Sequence, residues 1–152
     1  MRFDRSLLIS DLSRDEGVRL VPYDDATGKP VQTGDVVKGN LTNGIGWNMQ
    51  GRPLTQAEAE IICGWALDDL SGKLYKALPW LSDLDEPRQR AVANLAFNLG
   101  VAGLLQFTTF LNFLKQGSYS LAALDLEGAL WYKQVGERAM RIAQIIKTGD
   151  MT

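Results

Sequence analysis

The sequence predicts an α+β protein in which a small antiparallel sheet precedes a mainly helical region. Residues 18–50 are rich in glycine, short β-branched pieces and turn pairs such as Asn43-Gly44. Residues 55–147 instead repeat apolar side chains at helical spacing. We therefore expect a sheet lobe and a helical lobe joined by a long helix, with a ligand cleft between them.

The first segment predicts a short amphipathic helix. Leu7, Leu8 and Leu12 are separated by charged and polar residues, and the pattern stops at Glu16 and Gly17. Glu16 is therefore expected on the last turn, ahead of the small sheet.

The helical region opens with a capping box, because Glu58 stands three residues after Thr55. The long helix that follows carries an apolar stripe as far as Pro79, and we expect Cys63 to be a small buried residue on it. Asp85 begins a second, central helix that Gly100 ends.

Three further helices are predicted, at about 104–115, 120–132 and 136–147. The inward face of the last helix is expected to carry Met140, Ile142, Ile145 and Ile146.

Length and composition fit a single domain over residues 1–152. Within it we expect a β-containing lobe at about 13–55. The helical lobe is expected at about 56–152, together with the N-terminal helix. A monomer is the default expectation.

Several function classes are excluded by composition. The chain has no histidine, which rules out Ser-His-Asp and Cys-His nucleophiles and histidine zinc sites. Its one cysteine rules out an internal disulfide and a thiolate zinc cluster. No metal or cofactor is expected. A formal charge of −2 gives no broad basic field for nucleic acid or an anionic membrane.

Two carboxylic acids flank a strand-sized span, Glu16 at the predicted helix end and Asp25 in a polar turn. A pair of carboxyl groups is what glycoside hydrolysis needs, one to protonate the leaving oxygen and one to act at the sugar carbon. Each residue alone is more simply a solvated helix-end charge or a turn aspartate.

The combination of motifs resembles a known family. Its catalytic segment is matched by Asp15-Glu16-Gly17-x-Arg19-Leu20-x-x-Tyr23, by Asp25, and by Thr42-x-Gly44-Ile45-Gly46. Later matches are residues 90–100, Gln106-Phe107-Thr108, Trp131-Tyr132 and Arg138-Ala139-x-Arg141. In this order the motifs resemble the phage-type lysozymes of glycoside hydrolase family 24, the group of the T-even phage lysozymes.

The resemblance implies roles for individual residues. Glu16 is expected to be the general acid, Asp25 the second carboxylate and Thr42 the hydroxyl that holds the attacking water, which predicts inversion at the sugar carbon. A retaining path would instead need Asp25 to bond to the sugar. Arg138 is expected to pair with Glu16. The implied sugar-binding residues are Gly46, Asn48, Phe97, Phe110 and Asp125, of which Phe97 and Phe110 could equally be core residues.

The chain departs from the family pattern between Asp25 and Thr42, where 16 residues intervene. We expect an extended hairpin through residues 34–39. Trp47 stands where the family often has histidine, and it could stack on a sugar or cap the small lobe.

The implied function is that of an endolysin. It would be a muramidase that hydrolyses the β-1,4 bond between N-acetylmuramic acid and N-acetylglucosamine in peptidoglycan. The N-terminal residues are too charged for a signal peptide, so the chain is expected in the host cytoplasm until a holin releases it to the periplasm. The alternatives are a lytic transglycosylase and a non-catalytic glycan-binding module of a virion or secretion assembly.

Overall fold

The structure, a computed structural model, describes residues 4–150. In that range the chain forms seven α-helices and a four-stranded antiparallel sheet, so the predicted α+β class is confirmed. It divides into two compact units, the first ending at Glu60 and the second beginning at Ile61. This division falls a few residues beyond the lobe boundary expected near residue 55. That the N-terminal helix belongs to the helical lobe stays a prediction.

The first helix, α1 (Arg5–Glu16), ends where the sequence predicted. Asp4 caps its start, and the Asp4 carboxylate accepts hydrogen bonds from the backbone N–H groups of Ser6 and Leu7. Gly17 ends the helix with a φ of 74°, a backbone angle that favours glycine. Residues 1–3 of the predicted segment lie outside the described residues.

The sheet contains β1 (Arg19–Asp24), β2 (Lys29–Pro30), β3 (Leu41–Gly44) and β4 (Trp47–Asn48), in the order β2-β1-β3-β4. Every neighbouring pair is antiparallel. Thr42 of β3 pairs with Tyr23 on one side and with Asn48 on the other, so it lies in the interior of the sheet.

The extended hairpin predicted through residues 34–39 was wrong, because no strand forms between residues 31 and 40 of the described chain. The segment is a loop that folds back on the end of β1. The backbone N–H groups of Lys38, Gly39 and Asn40 donate to the carboxylates of Asp24 and Asp25. Those N–H groups are therefore not available for a strand ladder.

The predicted capping box opens α2 (Gln56–Ala77). The Thr55 N–H donates to a Glu58 carboxylate oxygen at 3.0 Å, and the Glu58 N–H donates to the Thr55 hydroxyl at 3.3 Å. The expectation that Cys63 is buried was wrong, because its side chain is exposed. Leu74 is the buried residue of α2, so the first half of the apolar stripe is not covered.

The second unit continues through a 3-10 turn (Pro79–Asp83) into α3 (Glu86–Leu104), which Asp85 caps as predicted and Gly100 interrupts with a φ of 71°. The remaining helices are α4 (Thr108–Lys115), α5 (Tyr119–Gly128), α6 (Leu130–Val135) and α7 (Glu137–Thr148). Within residues 4–150 no single helix is long and apolar enough to span a membrane. The pair α3 and α4, bent by 117°, meets that length and composition only together.

Two helix predictions need correction. The single helix expected at 120–132 is two helices, because Ala129 takes an extended conformation between α5 and α6. Met140 is exposed rather than inward, since the buried face of α7 runs one residue earlier. That face consists of Ala139, Ile142, Ala143 and Ile146. It joins a core to which Leu74 of α2, Leu81 of the 3-10 turn and the helices α3 to α6 contribute.

Candidate active site

Glu16 lies at the carboxyl end of α1 and is exposed to solvent. Its side chain packs over Gly46, which forms the turn between β3 and β4 with a φ of 63°. A Cβ atom at Gly46 would lie 3.2 Å from Oε2 of Glu16. The structure thus brings the predicted general acid against one of the predicted sugar-binding positions, within the first unit.

Asp25 follows β1, and Asn40 holds its carboxylate at both oxygens. Its Oδ1 accepts a hydrogen bond from the Asn40 backbone N–H at 2.6 Å, and its Oδ2 accepts one from the Asn40 Nδ2 at 2.8 Å. The Asn40 backbone N–H, followed by the Asn40 side chain, lowers the pKa of Asp25 below its ordinary value. Asp25 is therefore ionised at neutral pH, as a second carboxylate in glycoside hydrolysis needs to be.

Asp24, its neighbour, has a structural part instead. Its side chain is buried and accepts backbone hydrogen bonds from Ala26, Lys38 and Gly39, at 3.0, 2.8 and 3.0 Å. The Lys38 N–H is the main cause of a lowered pKa for Asp24, against the raising effect of burial. Asp24 therefore holds the loop closed, whereas the exposed Asp25 is the member of the pair that a substrate can reach.

Thr42 is buried in the sheet, and its hydroxyl donates to the Asn40 carbonyl oxygen at 3.3 Å. The backbone N–H of Asp25 donates to the same oxygen at 3.1 Å. Asn40 therefore brings together two of the residues that the motif predicted. The sequence reasoning missed Asn40, and the signal that could have found it is the polar Gly39-Asn40 pair directly before the strand that carries Thr42.

Two side chains on β4 are engaged within their own unit. The Oδ1 of Asn48 accepts hydrogen bonds from the backbone N–H groups of Gln50 and Gly51, and its role in sugar binding stays a prediction. The indole of Trp47 donates to the carbonyl of Arg52, whose guanidinium lies 5.8 Å from the ring centroid. These contacts favour a capping role for Trp47 over sugar stacking.

In the second unit, Phe97 and Arg138 lie together in a cavity of about 540 Å³ between α2 and α3. Phe97 is 49% exposed, so its ring is available to a ligand. Arg138 donates from Nε to Oδ1 of Asn94 at 2.8 Å and from a terminal nitrogen to the Asn94 carbonyl at 3.0 Å. The expected pairing of Arg138 with Glu16 joins the two units and stays a prediction.

The other two predicted sugar-binding residues separate. Asp125 is half-buried and lines a second cavity of about 550 Å³ beside Phe107 and Leu124. Phe110 has no exposed surface and lies in the core. Its assignment as a sugar-binding residue is therefore corrected in favour of the core alternative, because a sugar cannot contact a fully buried ring. Within residues 4–150, no three acidic or cysteine side chains converge as they would around a metal ion.

Comparison with known proteins agrees with the motifs. The family described as phage lysozyme matches residues 13–144. The central spike protein Gp5 of the pre-baseplate of Enterobacteria phage T4 is 31% identical over 92% of this chain and 27% of its own length. Probable T4-type lysozyme 1 of Dictyostelium discoideum is 28% identical over 64% of this chain and 59% of its own length. This chain thus spans between about a quarter and three fifths of these relatives. Because the family match covers most of its length, the chain belongs to the phage lysozyme family.

Proposed function

We propose that the chain is a muramidase, which hydrolyses the β-1,4 bond between N-acetylmuramic acid and N-acetylglucosamine in peptidoglycan. Membership of the phage lysozyme family supports this class of substrate. The observation that carries the proposal is the shared anchoring of Asp25 and Thr42 on Asn40. The same unit holds Glu16 over Gly46.

The attacking water is held by Asp25 and Thr42. The Thr42 hydroxyl donates a hydrogen bond to the Asn40 carbonyl, so the lone pairs of its oxygen can accept a hydrogen bond from water. Asp25, ionised, accepts the other proton of that water. The water oxygen then directs a lone pair at the anomeric carbon of the muramic acid residue.

Bond cleavage is a single displacement. Glu16 donates its proton to the bridging oxygen as the bond from that oxygen to the anomeric carbon breaks, and the leaving sugar departs with a new hydroxyl. Water adds to the anomeric carbon and its proton passes to Asp25. The product is a reducing muramic acid end with inverted configuration.

Glu16 is exposed in the free chain, and its carboxyl lies beside Gly46. A sugar bound at Gly46 therefore brings its glycosidic oxygen next to the Glu16 carboxyl, as proton donation to that oxygen requires.

Host lysis is the proposed biological role. In this role the chain waits in the host cytoplasm, a holin opens the membrane, and the chain then cuts the wall from the periplasm. A second candidate is a wall-cutting module carried by the virion. It is supported by the phage spike protein, part of which is similar to this chain over 92% of the chain's length. Immunoblots of purified particles separate the two, because only the second candidate leaves the chain in the particles.

Digestion of purified peptidoglycan, followed by mass spectrometry of the fragments, tests the reaction. Reducing muramic acid ends are expected, and proton NMR of the fresh product is expected to show the inverted anomer. Anhydro-muramic ends would identify a lytic transglycosylase. Binding to the wall by folded protein without any cleavage would identify a non-catalytic glycan-binding module.

A further inference from the structure

The loop between β2 and β3 ends in three successive backbone N–H groups that all donate to carboxylates. Lys38 and Gly39 donate to Asp24, at 2.8 and 3.0 Å, and Asn40 donates to Asp25 at 2.6 Å. Each of these contacts spans 14 or 15 residues of chain. The end of the loop therefore binds the carboxylates of both Asp24 and Asp25 through backbone N–H groups.

Asn40 binds both oxygens of one carboxylate. Its backbone N–H reaches Oδ1 of Asp25, and its Nδ2 reaches Oδ2 at 2.8 Å. Its carbonyl accepts from the Asp25 N–H and from the Thr42 hydroxyl. Three of its four polar groups thus fix Asp25, and one of these three also fixes Thr42.

Gly39 allows this close approach. A Cβ atom at residue 39 would lie 2.1 Å from Oδ1 of Asp25 and 2.7 Å from the Cβ of Ala26. No side chain fits there without displacing the carboxylate. The absence of a side chain at Gly39 therefore lets the end of the loop lie against Asp25, where Asn40 can bind the carboxylate.

We infer that Asn40 is a positioning residue for Asp25, which fixes the orientation of its carboxylate through both carboxylate oxygens. This inference rests on the proposed role of Asp25 as the carboxylate that holds water. A carboxylate bound at both oxygens cannot rotate, so one lone pair stays directed at the water. Without the Nδ2 donor of Asn40, the Asp25 carboxylate keeps only the backbone bond at Oδ1, so Oδ2 is no longer fixed and takes up a proton more readily.

The hydrogen bonds from Asn40 are the main cause of the lowered pKa of Asp25. Asp24 is the charged neighbour that acts on Asp25, and it raises the pKa of Asp25. Lys29 of β2 lies opposite Asp24 in the register, and the Arg19 side chain of β1 donates to the Gly28 carbonyl. The hydrogen bonds from the Asn40 backbone and side chain outweigh the raising effects of desolvation and of Asp24, and leave the pKa of Asp25 lowered.

Asn40→Ala removes the Nδ2 donor, and Asn40→Asp replaces it by an oxygen in the same shape. Both variants should raise the pKa of Asp25, measured by carbon-13 NMR of its carboxyl group, and Asn40→Asp should raise it further. The acid limb of kcat/KM on peptidoglycan fragments should move to higher pH in step. We expect kcat to fall on the order of 10- to 100-fold, with little change in KM.

Asn43→Ala is the matched control, because the Asn43 side chain accepts only the N–H of Gly44. It should leave the Asp25 titration unchanged. An unaltered Asp25 titration and acid limb in both Asn40 variants would overturn the inference. If the wild type does not cut peptidoglycan, the proposed function fails, and the NMR titration still decides whether Asn40 holds Asp25.

Discussion

Gly46 lies directly beside the carboxyl group of Glu16. Its φ of 63° is one that side-chain-bearing residues rarely adopt, and a Cβ there would lie 3.2 Å from Oε2 of Glu16, which is closer than ordinary contact. Gly44, two residues earlier, has a φ of 62° with nothing near its missing Cβ. A substitution at either glycine strains the backbone, but only a substitution at Gly46 also contacts the proposed acid.

Gly46→Ala should lower kcat more than Gly44→Ala does. Both substitutions cost roughly 1–2 kcal/mol of stability, because both force alanine into left-handed backbone angles. Only Gly46→Ala also places a methyl group against Oε2 of Glu16. Urea denaturation and wall digestion measured on both variants check this, and equal losses of kcat would mean that the Glu16 contact has no effect on catalysis.

Arg88 is a buried cation that caps the carboxyl end of α7. Its Nε donates to the Ile146 carbonyl at 2.8 Å, a terminal nitrogen donates to the Lys147 carbonyl at 3.3 Å, and its guanidinium lies 3.7 Å from the centroid of the Tyr119 ring. These carbonyls have no partner within the helix. Arg88 thus stabilises the last helix through a residue of α3.

Arg88→Met should lower the free energy of unfolding by about 1–3 kcal/mol, because it leaves helix-end carbonyls unsatisfied. Arg90→Met, on the exposed side of α3 with a 3.5 Å ion pair to Glu86, should change it by less than about 0.5 kcal/mol. Urea titration gives both values. Similar losses in the two variants would argue against a capping role for Arg88.

The sequence identified individual functional residues where residue type and short spacing match a known motif. Glu16 and Asp25 stand out because residue type and spacing match a known motif. For Asn40 the sequence offers only the polar Gly39-Asn40 pair before the strand of Thr42, because its contact with Asp25 forms when the chain folds back over 15 residues. Phe110 shows the opposite case, because Leu111 and Leu114 beside it already indicated a packed face. Matching it to a family position suggested a sugar contact that its burial does not allow.

Among the elements, α2 has a start whose strength depends on pH. Hydrogen bonds from the Thr55 backbone and hydroxyl, followed by Arg52, lower the pKa of Glu58 from 4.5 to about 2. Because the folded-state value lies below the ordinary one, this stabilisation is fully present above pH 4.5. It is lost as the pH falls towards about 2.

Glu58→Gln should therefore lose less thermal stability than the wild type between pH 4.5 and about 2. Glutamine keeps the shape of the cap without a carboxylate to protonate. Thermal unfolding across this range measures the effect. Glu60→Gln, which removes a carboxylate outside the cap, should follow the wild type, and a Glu58→Gln curve parallel to wild type would refute the coupling.

Helix starts were predictable because capping uses adjacent residues, as at Asp85 and in the Thr55 box. The loop at 31–40 was not, because Val36 and Val37 favour a strand by local preference. Distant carboxylates bind its backbone N–H groups instead. The break at Ala129 likewise has no strong local signal beyond Gly128.

At the scale of the whole molecule, the α+β class followed from one change in the sequence, from glycine-spaced short pieces to helical periodicity near residue 55. The three proposed catalytic residues, Glu16, Asp25 and Thr42, all belong to the first unit. Its sheet and loop fix Asp25 and Thr42, and the end of α1 supplies Glu16. The second unit carries the buried core and the Phe97 and Arg138 cavity.

In the proposed reaction, Glu16 supplies the proton that breaks the wall polymer. Digestion of purified peptidoglycan by the wild type, Glu16→Gln and Asp11→Asn measures this role, since Asp11 is another exposed carboxylate of α1, paired with Arg14. We expect Glu16→Gln to fold normally and to lose about 10²- to 10⁴-fold in kcat, the range for a lost general acid, with Asp11→Asn unchanged. Wild-type digestion by a folded Glu16→Gln variant would mean that Glu16 is not the general acid.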